Sequence, residues 1–512
     1  MLFNSYEFVL AFLPVVYLVA RWLVRSSRPS LYLWWLVLAS VTFYSWQSPR
    51  LGLLFVTSMC VNYAIAGRLL AVTGPFRLAW LWLGVTANLA YICYFKYLGF
   101  AALTTQTLFG GDWTLPAIAL PLGISFYTFQ QIAYLVDVYR GDVRRQTFVD
   151  YVLFVSFFPQ LIAGPIVQQS DIVNQFAKPR CRRFHELDAA VGLTLFILGL
   201  FKKVVLADNL ARFANPAFRL AEHDGQLAML PAWLGMLSYT LQLYFDFSGY
   251  SDMALGLGRL FGIRLPLNFN SPYKSVDIID FWRRWHLTLS AFLRDYLYLP
   301  LGGGRCSRWR KSTNLLLTML LGGLWHGAGW TFVLWGGVHG LLLIANHAWN
   351  DWQAARMGTR QPSTIRLCLA CVMTTFVVSL TWVLFRAESC AGAASFYHAL
   401  FIPSAATIDY VTWVEMRDAL YWVPIGLVIV WLLPNSQETL GRFGPALRYR
   451  YRPAAVSLAG RILGSRESQP HDVRAPWWQW QPTTWHATVA AAMFLVAISS
   501  FSQVTQFIYF NF

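Results

Sequence analysis

Long apolar runs recur from one end of the chain to the other, separated by short polar links. The clearest runs are Phe8 to Ala20, Leu31 to Trp46, Leu51 to Ile65, Leu78 to Phe95, Val191 to Phe201, Phe332 to Ala345, Leu367 to Phe385 and Ala487 to Ile498. A helix needs roughly 20 residues to cross a hydrocarbon layer, and flanking aromatic residues complete the shorter runs. A closed barrel would instead show alternating segments of about ten residues. The pattern therefore predicts an all-α integral membrane protein with about a dozen spanning or re-entrant helices.

Polar and helix-breaking residues divide this pattern into regions. Residues 1–110 carry few polar side chains and are predicted to be scaffold helices. Between Leu115 and Pro165, prolines and glycines interrupt apolar sequence, and broken helices at membrane depth are tolerated where they line a cavity. From Tyr244 to Arg305, charged residues are interleaved with aromatic ones, which predicts short pieces that lie at the interface or re-enter the bilayer. We therefore expect the catalytic core within residues 115–350.

The end of the chain is more polar before it becomes apolar again. Residues 435–483 are too hydrophilic to span and include Arg442, Arg448, Arg450, Arg452, Arg461 and Arg466. This segment is predicted to be a basic cytoplasmic loop, followed by the last helix and a tail at residues 484–512. No repeat of 20 to 50 residues is visible, so residues 1–512 are expected to form a single membrane domain.

Composition supports a membrane location and narrows the choice of partners. The chain is 57% hydrophobic and 12% charged, whereas soluble domains carry about 25% charged residues. The net charge of +16 would suit a nucleic-acid partner. However, the basic residues fall in short links such as Arg140, Arg144 and Arg145, as the positive-inside rule predicts for cytoplasmic loops. Membrane lipids are therefore the expected partners, and nucleic acid is not.

His326 is the leading candidate for chemistry. It has Gly322 and Gly323 before it and Gly327 and Gly329 after it, so helices pack closely and a substrate has room to approach. Ionisable residues in membrane segments are functional candidates by default. A neutral imidazole is well suited to take a proton from an attacking hydroxyl near pH 7. The alternative is a histidine whose polarity is satisfied by a neighbouring helix, and spacing leaves both open.

Five other residues are candidates for the same site. His286 is the second candidate catalytic residue, and Arg283 and Arg284 beside it would hold phosphate or carboxylate groups or else anchor the chain at the interface. Asp246 and Asn268 would orient a histidine or bind substrate, or else serve as helix caps and interhelical contacts. His339 and His347 are predicted to be structural. No metal-ligand spacing or dinucleotide fingerprint is present, so we expect no metal and no bound cofactor.

Several segments together resemble a known family. They are LPLGISFYTFQ (Leu120 to Gln130), FFPQLIAGPI (Phe157 to Ile166), LGLFKKVVLADNL (Leu198 to Leu210), YFDFSGYSDMA (Tyr244 to Ala254), NFNSPYKS, DFWRRWHLTLSAFLRDYLYLPLGG and LWHGAGWTFVLWGGVHG (Leu324 to Gly340). They resemble the membrane-bound O-acyltransferase family, and within it the bacterial branch that includes the alginate O-acetyltransferases. The resemblance extends in order over most of the chain. It implies a polytopic helical fold with re-entrant and interfacial helices around a funnel.

The resemblance also implies an activity. Its catalytic histidine corresponds to His326 and a second family histidine to His286. Relatives use a cytoplasmic thioester, here expected to be acetyl-CoA, and the acyl group ends on an extracytoplasmic exopolysaccharide such as alginate. A periplasmic or extracellular acetyltransferase partner and a multi-pass location in the bacterial inner membrane are expected on the same ground. Alternatives are acetylation of cellulose or another polymer, D-alanyl transfer to teichoic acid, and a non-enzymatic membrane transporter.

Overall fold

A computed structural model gives the fold in two compact units. The structure describes residues 1–25, 29–111, 115, 118–143, 146–176, 185–223, 227–357, 363–403, 410–449, 478–501 and 507–508. The first unit comprises Met1–Leu200, Tyr250–Pro266 and Pro445–Leu447, and the second comprises Phe201–Gly249, Leu267–Gly444 and Arg448–Phe512. A single membrane domain over residues 1–512 stays a prediction.

The first unit is built from helices. They are α1 (Leu13–Arg25), α2 (Pro29–Ser45), α3 (Pro49–Ala71), α4 (Pro75–Ile92), α5 (Leu98–Phe109), α6 (Ile124–Arg140), α7 (Phe148–Ser156), α8 (Gln169–Phe176) and α9 (Glu186–Phe201), with π-helical turns at Glu7–Phe12 and Cys93–Tyr97. Local sequence explains several boundaries. Pro49 and Pro75 stand at the starts of α3 and α4, where a missing N–H costs nothing. Gly123 and Gly141 bracket α6 with positive φ values of 67° and 85°.

Polar groups inside the first unit pair with one another. Asn62 and Asn88 exchange amide hydrogen bonds, and the side-chain oxygen of Gln131 accepts from Asn62 and from the Ser58 hydroxyl. An interhelical network of this kind satisfies polar groups that lipid would leave unpaired. These residues therefore connect α3, α4 and α6. The role of residues 1–110 as scaffold stays a prediction.

The second unit holds the remaining helices and the candidate residues. One of these helices is shared between the units, because its C-terminal part belongs to the first unit. The helices are α10 (Asp208–His223), α11 (Met229–Leu260, from Tyr250 in the first unit), α12 (Ile278–Trp282), α13 (Leu287–Leu293), α14 (Arg308–His326), α15 (Trp330–Met357), α16 (Thr364–Arg386), α17 (Cys390–Phe401), α18 (Tyr410–Met416), α19 (Ala419–Leu432), α20 (Ser436–Thr439) and α21 (Thr484–Ser499). Shorter turns occupy Lys202–Ala207, Pro272–Lys274, Arg294–Tyr298 and Gly441–Phe443.

Six helical stretches of the described residues are long and apolar enough to cross a membrane. They are Glu7–Arg25, Pro49–Ala71, Pro75–Phe109, Glu186–His223, Trp330–Arg356 and Thr364–Arg386, with shorter apolar helices at Ser30–Ser45 and Thr484–Ser499. The described part of the chain contains no β-strand. The prediction of an all-α polytopic membrane protein is therefore confirmed. The predicted number of about a dozen helices included re-entrant helices as well as membrane-spanning ones. The funnel stays a prediction.

One polar region differs from the prediction made from the sequence, and a second lies mostly outside the described residues. Tyr244 to Leu260 is not a set of short pieces, because it completes the 32-residue helix α11. Its buried Asp246 is paired inside the protein, so the polar pattern there does not mark an interface. After α11 the chain does break into the short helices α12 and α13. Most of the predicted basic loop, residues 450–477, lies outside the described residues.

Helices α14 and α15 pack through glycine. A Cβ atom added at Gly336 would overlap the carbonyl oxygen of Met319 and lie 3.1 Å from the Cα atom of Gly323. A Cβ atom at Gly323 would overlap the carbonyl oxygen of Phe332. Small residues allow this close approach of two helix backbones. The contact places His326, the last residue of α14, beside the first turns of α15.

The glycine contact predicts different effects for two neighbouring substitutions. Gly336→Ala should lower the free energy of unfolding by about 1–3 kcal/mol, because a backbone carbonyl cannot move aside as a side chain can. Gly337→Ala is the matched control, since its Cβ atom would be 3.4 Å from Leu320 Cδ2, an ordinary contact. Thermal unfolding of both variants in detergent measures the difference. Equal melting temperatures would contradict the packing described.

Candidate functional site

His326 lies in an aromatic enclosure of the second unit. Its side chain is buried, and its ring centroid is 4.9 Å from that of Trp325, 5.3 Å from Trp335 and 5.2 Å from Phe385. All three rings are edge-on to the imidazole, with interplanar angles of 76°, 90° and 70°. Aromatic pairs favour this geometry. The enclosure therefore limits the orientations that the His326 ring can adopt.

The residue after His326, Gly327, has no room for a side chain. Gly327 is extended, with φ −158° and ψ 149°, and a Cβ atom there would overlap the Phe332 ring. The glycines around His326 in the sequence therefore serve close packing. Gly322 is similarly confined, because its Cβ atom would lie 3.2 Å from Leu293 Cδ1.

His286 is the second buried histidine of this unit. It precedes α13 in a left-handed backbone conformation, with φ 44° and ψ 54°, and its Nδ1 atom accepts a hydrogen bond from the Leu289 N–H at 3.4 Å. Its ring centroid lies 6.3 Å from that of His326 and 4.8 Å from that of Phe247. The two histidines, far apart in the sequence, are thus brought together by α13 and α14.

Burial also sets the charge state of His286, which lies outside the six candidate spans. Removal from water lowers the pKa of His286 to about 3, because the charged imidazolium loses its hydration. His286 is therefore neutral near pH 7.

Asn268 holds the turn that carries His286. Its side-chain oxygen accepts hydrogen bonds from the Thr288 hydroxyl at 2.8 Å and the Thr288 N–H at 3.4 Å, and its carbonyl oxygen accepts from the Leu287 N–H at 3.0 Å. These bonds fix the residues on the C-terminal side of His286. The observed contacts of Asn268 are to Leu287 and Thr288, and both functional roles expected for it, to orient a histidine or to bind substrate, stay predictions.

Asp246 is engaged in a buried ion pair. Its carboxylate is 2.8 Å from Lys203 Nζ, which also lies 2.7 Å from Asp208, and its other oxygen accepts from the Ile508 N–H at 3.1 Å. Both carboxylate oxygens of Asp246 therefore have protein partners. These contacts correspond to the structural alternative raised by the sequence, and substrate binding by Asp246 stays a prediction.

The two arginines are more exposed than the buried histidine that follows them. Arg283 is exposed, and Arg284 is partly exposed with its guanidinium 2.9 Å from the Asp280 carboxylate. The main-chain carbonyl of Arg284 accepts from the Asn270 N–H at 2.9 Å. Proximity in sequence thus does not bring these guanidinium groups into the aromatic enclosure. Their binding of a substrate anion stays a prediction.

His339 lies on α15 and connects it to α12 and α16 through hydrogen bonds. Trp282 Nε1 donates to His339 Nδ1 at 3.3 Å, and His339 Nε2 is 2.9 Å from the Thr381 hydroxyl, which donates to the Val378 carbonyl at 2.7 Å. With Nδ1 accepting, Nε2 carries the proton and donates to Thr381. The His339 ring lies 4.8 Å from that of Trp335. These contacts agree with the structural role expected for His339.

None of the three aromatic members of the enclosure was identified as a site residue from the sequence. Trp335 lies on α15 and Phe385 on α16, and both contact the His326 ring. The chain has 24 Trp and 38 Phe, so no single aromatic residue stands out. Trp335 follows His326 closely in the sequence, after a glycine-containing turn, and this short separation indicates contact between the two side chains. Phe385 offered none, because its proximity depends on how α16 packs.

Comparison with known proteins identifies clear relatives. The model of the membrane-bound O-acyltransferase family matches residues 81–387. The peptidoglycan O-acetyltransferase of Helicobacter pylori is 43% identical, over 76% of this chain and 77% of the relative. The probable alginate O-acetylase AlgI of Pseudomonas aeruginosa is 44% identical, over 78% and 75%. The teichoic acid D-alanyltransferase of Streptococcus thermophilus is 32% identical, over 44% and 57%.

The neutral state of buried His286 predicts an acid-dependent loss of stability. Below pH 6.5 the unfolded chain binds a proton at this residue and the folded chain does not, so stability falls as the pH falls. Between pH 7 and pH 5 the contribution is about 2 kcal/mol. In His286→Gln the drop in melting temperature between these pH values should be smaller. The exposed His398→Gln should behave as wild type, and an equal drop in all three proteins would contradict the burial of His286.

The ion pair of Asp246 predicts that its substitution affects folding more than donor binding. Asp246→Asn should lower the free energy of unfolding by about 2 kcal/mol, because it removes a charged hydrogen-bond acceptor from buried Lys203. Asp280→Asn is the control, since its partly exposed pair with Arg284 is worth about 0.3–0.5 kcal/mol. Melting temperature and the KM for the acyl donor are measured together. A large rise in KM with unchanged stability would instead favour substrate binding by Asp246.

Proposed function

This chain belongs to the membrane-bound O-acyltransferase family, and we propose that it transfers acetyl groups from acetyl-CoA towards hydroxyl groups of an extracytoplasmic polysaccharide. The family makes it an acyltransferase and not a transporter, which confirms the resemblance found in the sequence. The observation that best supports the proposed chemistry is His326, buried among three aromatic rings and 6.3 Å from a second buried histidine.

In the proposed mechanism His326 is the general base. The acceptor hydroxyl oxygen attacks the thioester carbonyl carbon while the His326 imidazole takes the hydroxyl proton. The resulting tetrahedral intermediate carries a negative charge on the former carbonyl oxygen. When it collapses, the carbon–sulfur bond breaks and the imidazolium returns its proton to the departing sulfur. The products are an O-acetyl ester and free CoA thiol, so His326 ends in its initial state.

Acetyl is the acyl group that the relatives favour. Those named for O-acetyl transfer match over about three quarters of this chain or more, as in the peptidoglycan enzyme at 76% and the alginate protein at 78%. The D-alanyltransferase matches over 44%. The wider match supports acetyl over D-alanyl as the transferred group.

The proposed acceptor is an exopolysaccharide such as alginate. The relatives named for alginate and for peptidoglycan are 44% and 43% identical, so identity alone does not separate these two acceptors. Both are polymers that carry sugar hydroxyls. We further propose that the chain lies in the inner membrane and passes the acetyl group through a periplasmic partner acetyltransferase. The excess of basic residues in short links supports a cytoplasmic face on one side.

Thiol release tests this function directly. The full-length protein in lipid nanodiscs, combined with membranes that supply the periplasmic partner, is given acetyl-CoA and either oligomannuronate or peptidoglycan fragments, and free thiol is measured. We expect acceptor-dependent release that His326→Ala reduces about 10²- to 10⁴-fold, the usual contribution of general-base catalysis. Acetyl ester on the recovered oligosaccharide identifies the acceptor.

The exposed His398 provides a control for histidine loss. His398→Ala should release thiol at the wild-type rate, with both variants melting near the wild-type temperature. Release within twofold of wild type by folded His326→Ala would refute the base assignment. Acetyl transfer to neither glycan, by folded protein together with membranes that supply the partner, would refute the proposed acceptor class.

A further inference from the structure

A polar cleft lies outside the aromatic enclosure, between α10 and α18. It has a volume of about 310 Å³ and is lined by Arg212, Asn215, Pro216, Arg219 and Glu415. Four of these five residues are charged or carry an amide, and Pro216 is the apolar one. Clefts that bind small apolar ligands are lined mostly by hydrophobic side chains. This lining is instead suited to a ligand that is itself polar and charged.

Helix α10 presents its polar residues to the cleft in a line. Arg212, Asn215 and Arg219 are exposed and follow one another at intervals of three and four residues, which places them on one face of the helix. The residues between them are buried. Arg219 lies 3.9 Å from the Glu415 carboxylate, whereas no carboxylate of a described residue lies within ion-pair distance of Arg212. The positive charge of Arg212 is therefore not balanced by a described residue.

A proline within α10 leaves a main-chain acceptor in the same cleft. Pro216 stands inside the helix and has no N–H, so it cannot donate to the carbonyl oxygen of Arg212, four residues before it. Both residues line the cleft. A ligand hydroxyl is suited to supply the donor that the helix lacks there. The carboxylate of Glu415 offers a second acceptor for hydroxyl groups.

The carboxylate of Glu222 connects α10 to the turn between α16 and α17. It accepts hydrogen bonds from the Glu388 N–H at 2.7 Å, the Ser389 N–H at 3.1 Å and the Ser389 hydroxyl at 2.7 Å. Near the same turn, Arg386 donates to the side-chain oxygen of Asn215 at 3.4 Å. The α10 side of the cleft is therefore held by the protein before a ligand binds, which lowers the entropic cost of binding.

Arg386 also links the cleft to the aromatic enclosure. It directly follows Phe385, whose ring centroid lies 5.2 Å from that of His326. The Arg386 guanidinium lies 5.5 Å from the centroid of the Phe218 ring on α10. One step along the chain thus leads from a ring of the enclosure to a side chain that contacts the helix lining the cleft.

The charges at the ends of α14, α15 and α16 assign the cleft to one side of the membrane. Arg308, Arg310 and Lys311 begin α14, Arg356 lies in the last turn of α15, and Arg366 lies in the first turn of α16. Basic residues at one end of spanning helices mark the cytoplasmic side. The 23 residues of α16 cross a hydrocarbon layer of about 30 Å once. Arg386 at the other end of α16, and the cleft beside it, therefore lie on the extracytoplasmic side.

We propose that this cleft binds a carboxylate-bearing sugar unit of the acceptor polysaccharide. The proposal rests on the proposed function and narrows the acceptor to anionic glycans. Arg212 binds the sugar carboxylate, since a guanidinium pairs with a carboxylate through two parallel hydrogen bonds. Asn215, the Arg212 carbonyl and Glu415 bind hydroxyl groups of the same sugar. The polymer is thereby held at the face of the protein to which the acetyl group is delivered.

The position of Glu415 favours a sugar acid over a lipid headgroup. Its carboxylate repels an anion at the Arg219 end of the cleft, so the ligand's charge lies at the Arg212 end and its hydroxyl groups lie near Glu415. A sugar acid carries a carboxylate and several hydroxyl groups on one ring. A lipid phosphate would pair with the arginines but offers no such ring of hydroxyl donors.

Binding of a matched pair of oligosaccharides tests the cleft without turnover. The full-length protein in nanodiscs of zwitterionic lipid is titrated with oligomannuronate, and separately with the same oligosaccharide after reduction of its carboxylates to hydroxymethyl groups. We expect oligomannuronate to bind about tenfold more tightly, and added salt to reduce the difference. Arg212→Gln should weaken oligomannuronate binding about tenfold and leave binding of the reduced oligosaccharide within twofold of wild type.

Two further variants separate the role of Arg212 from a general loss of positive charge. Arg417→Gln removes an exposed arginine that lies 3.7 Å from Asp418 and does not line the cleft, so it should bind oligomannuronate as wild type does. Glu415→Gln removes the repulsion at the other end and keeps an acceptor oxygen, so it should bind about two- to threefold more tightly. Damage to the fold would not produce such a gain. The substituted side chains are exposed, so all variants should melt near the wild-type temperature.

The outcomes distinguish this inference from the proposed function. Equal affinity for the two oligosaccharides, or wild-type binding by Arg212→Gln, would overturn the inference and leave acetyl transfer by His326 in place. Phosphatidylglycerol added to the nanodiscs tests the lipid alternative. If it displaces oligomannuronate from the wild type and binds less to Arg212→Gln, the cleft holds a lipid headgroup and the inference is also overturned. Unchanged thiol release by His326→Ala would instead refute the base assignment, whatever the cleft binds.

Discussion

The close packing of α14 against α15 determines the geometry of the candidate site. Gly323 and Gly336 let the two helix backbones approach closely. A Cβ atom added at either glycine would overlap a carbonyl oxygen of the other helix. Because of that approach, His326 at the end of α14 lies against Trp335 on α15. Trp335 in turn contacts His339, which connects α15 to α12 and α16 through hydrogen bonds. A change in the separation of the two helices would therefore move the His326 imidazole relative to Trp335.

The polar groups of the second unit show how a membrane protein tolerates charge and polarity away from water. Lys203 is placed between Asp208 and Asp246, and His339 uses both ring nitrogens. Each of these groups is stabilised by partners inside the protein, as burial requires. His286 departs from this pattern, because one nitrogen is bound by the backbone and the other has no partner among the described residues. The departure occurs beside His326, whose ring centroid lies 6.3 Å from that of His286.

The sequence predicted the class of fold and the two histidines better than it predicted their surroundings. Apolar runs specify membrane helices through length alone, and glycines beside His326 mark close packing without any knowledge of tertiary contacts. The partners of Asp246 were not predictable, since Lys203 and Ile508 approach it only once the chain has folded. Position in sequence also suggested that Arg284 would accompany His286. The left-handed turn at His286 instead buries the imidazole while the guanidinium remains with Asp280.

Two histidines in one enclosure acquire different chemistry from their different attachments. The imidazole of His326 contacts the edges of aromatic rings, which restrict its rotation. The imidazole of His286 is oriented by a hydrogen bond from the Leu289 N–H, which is a main-chain donor. Both rings are therefore held in place by the protein itself, before any substrate arrives.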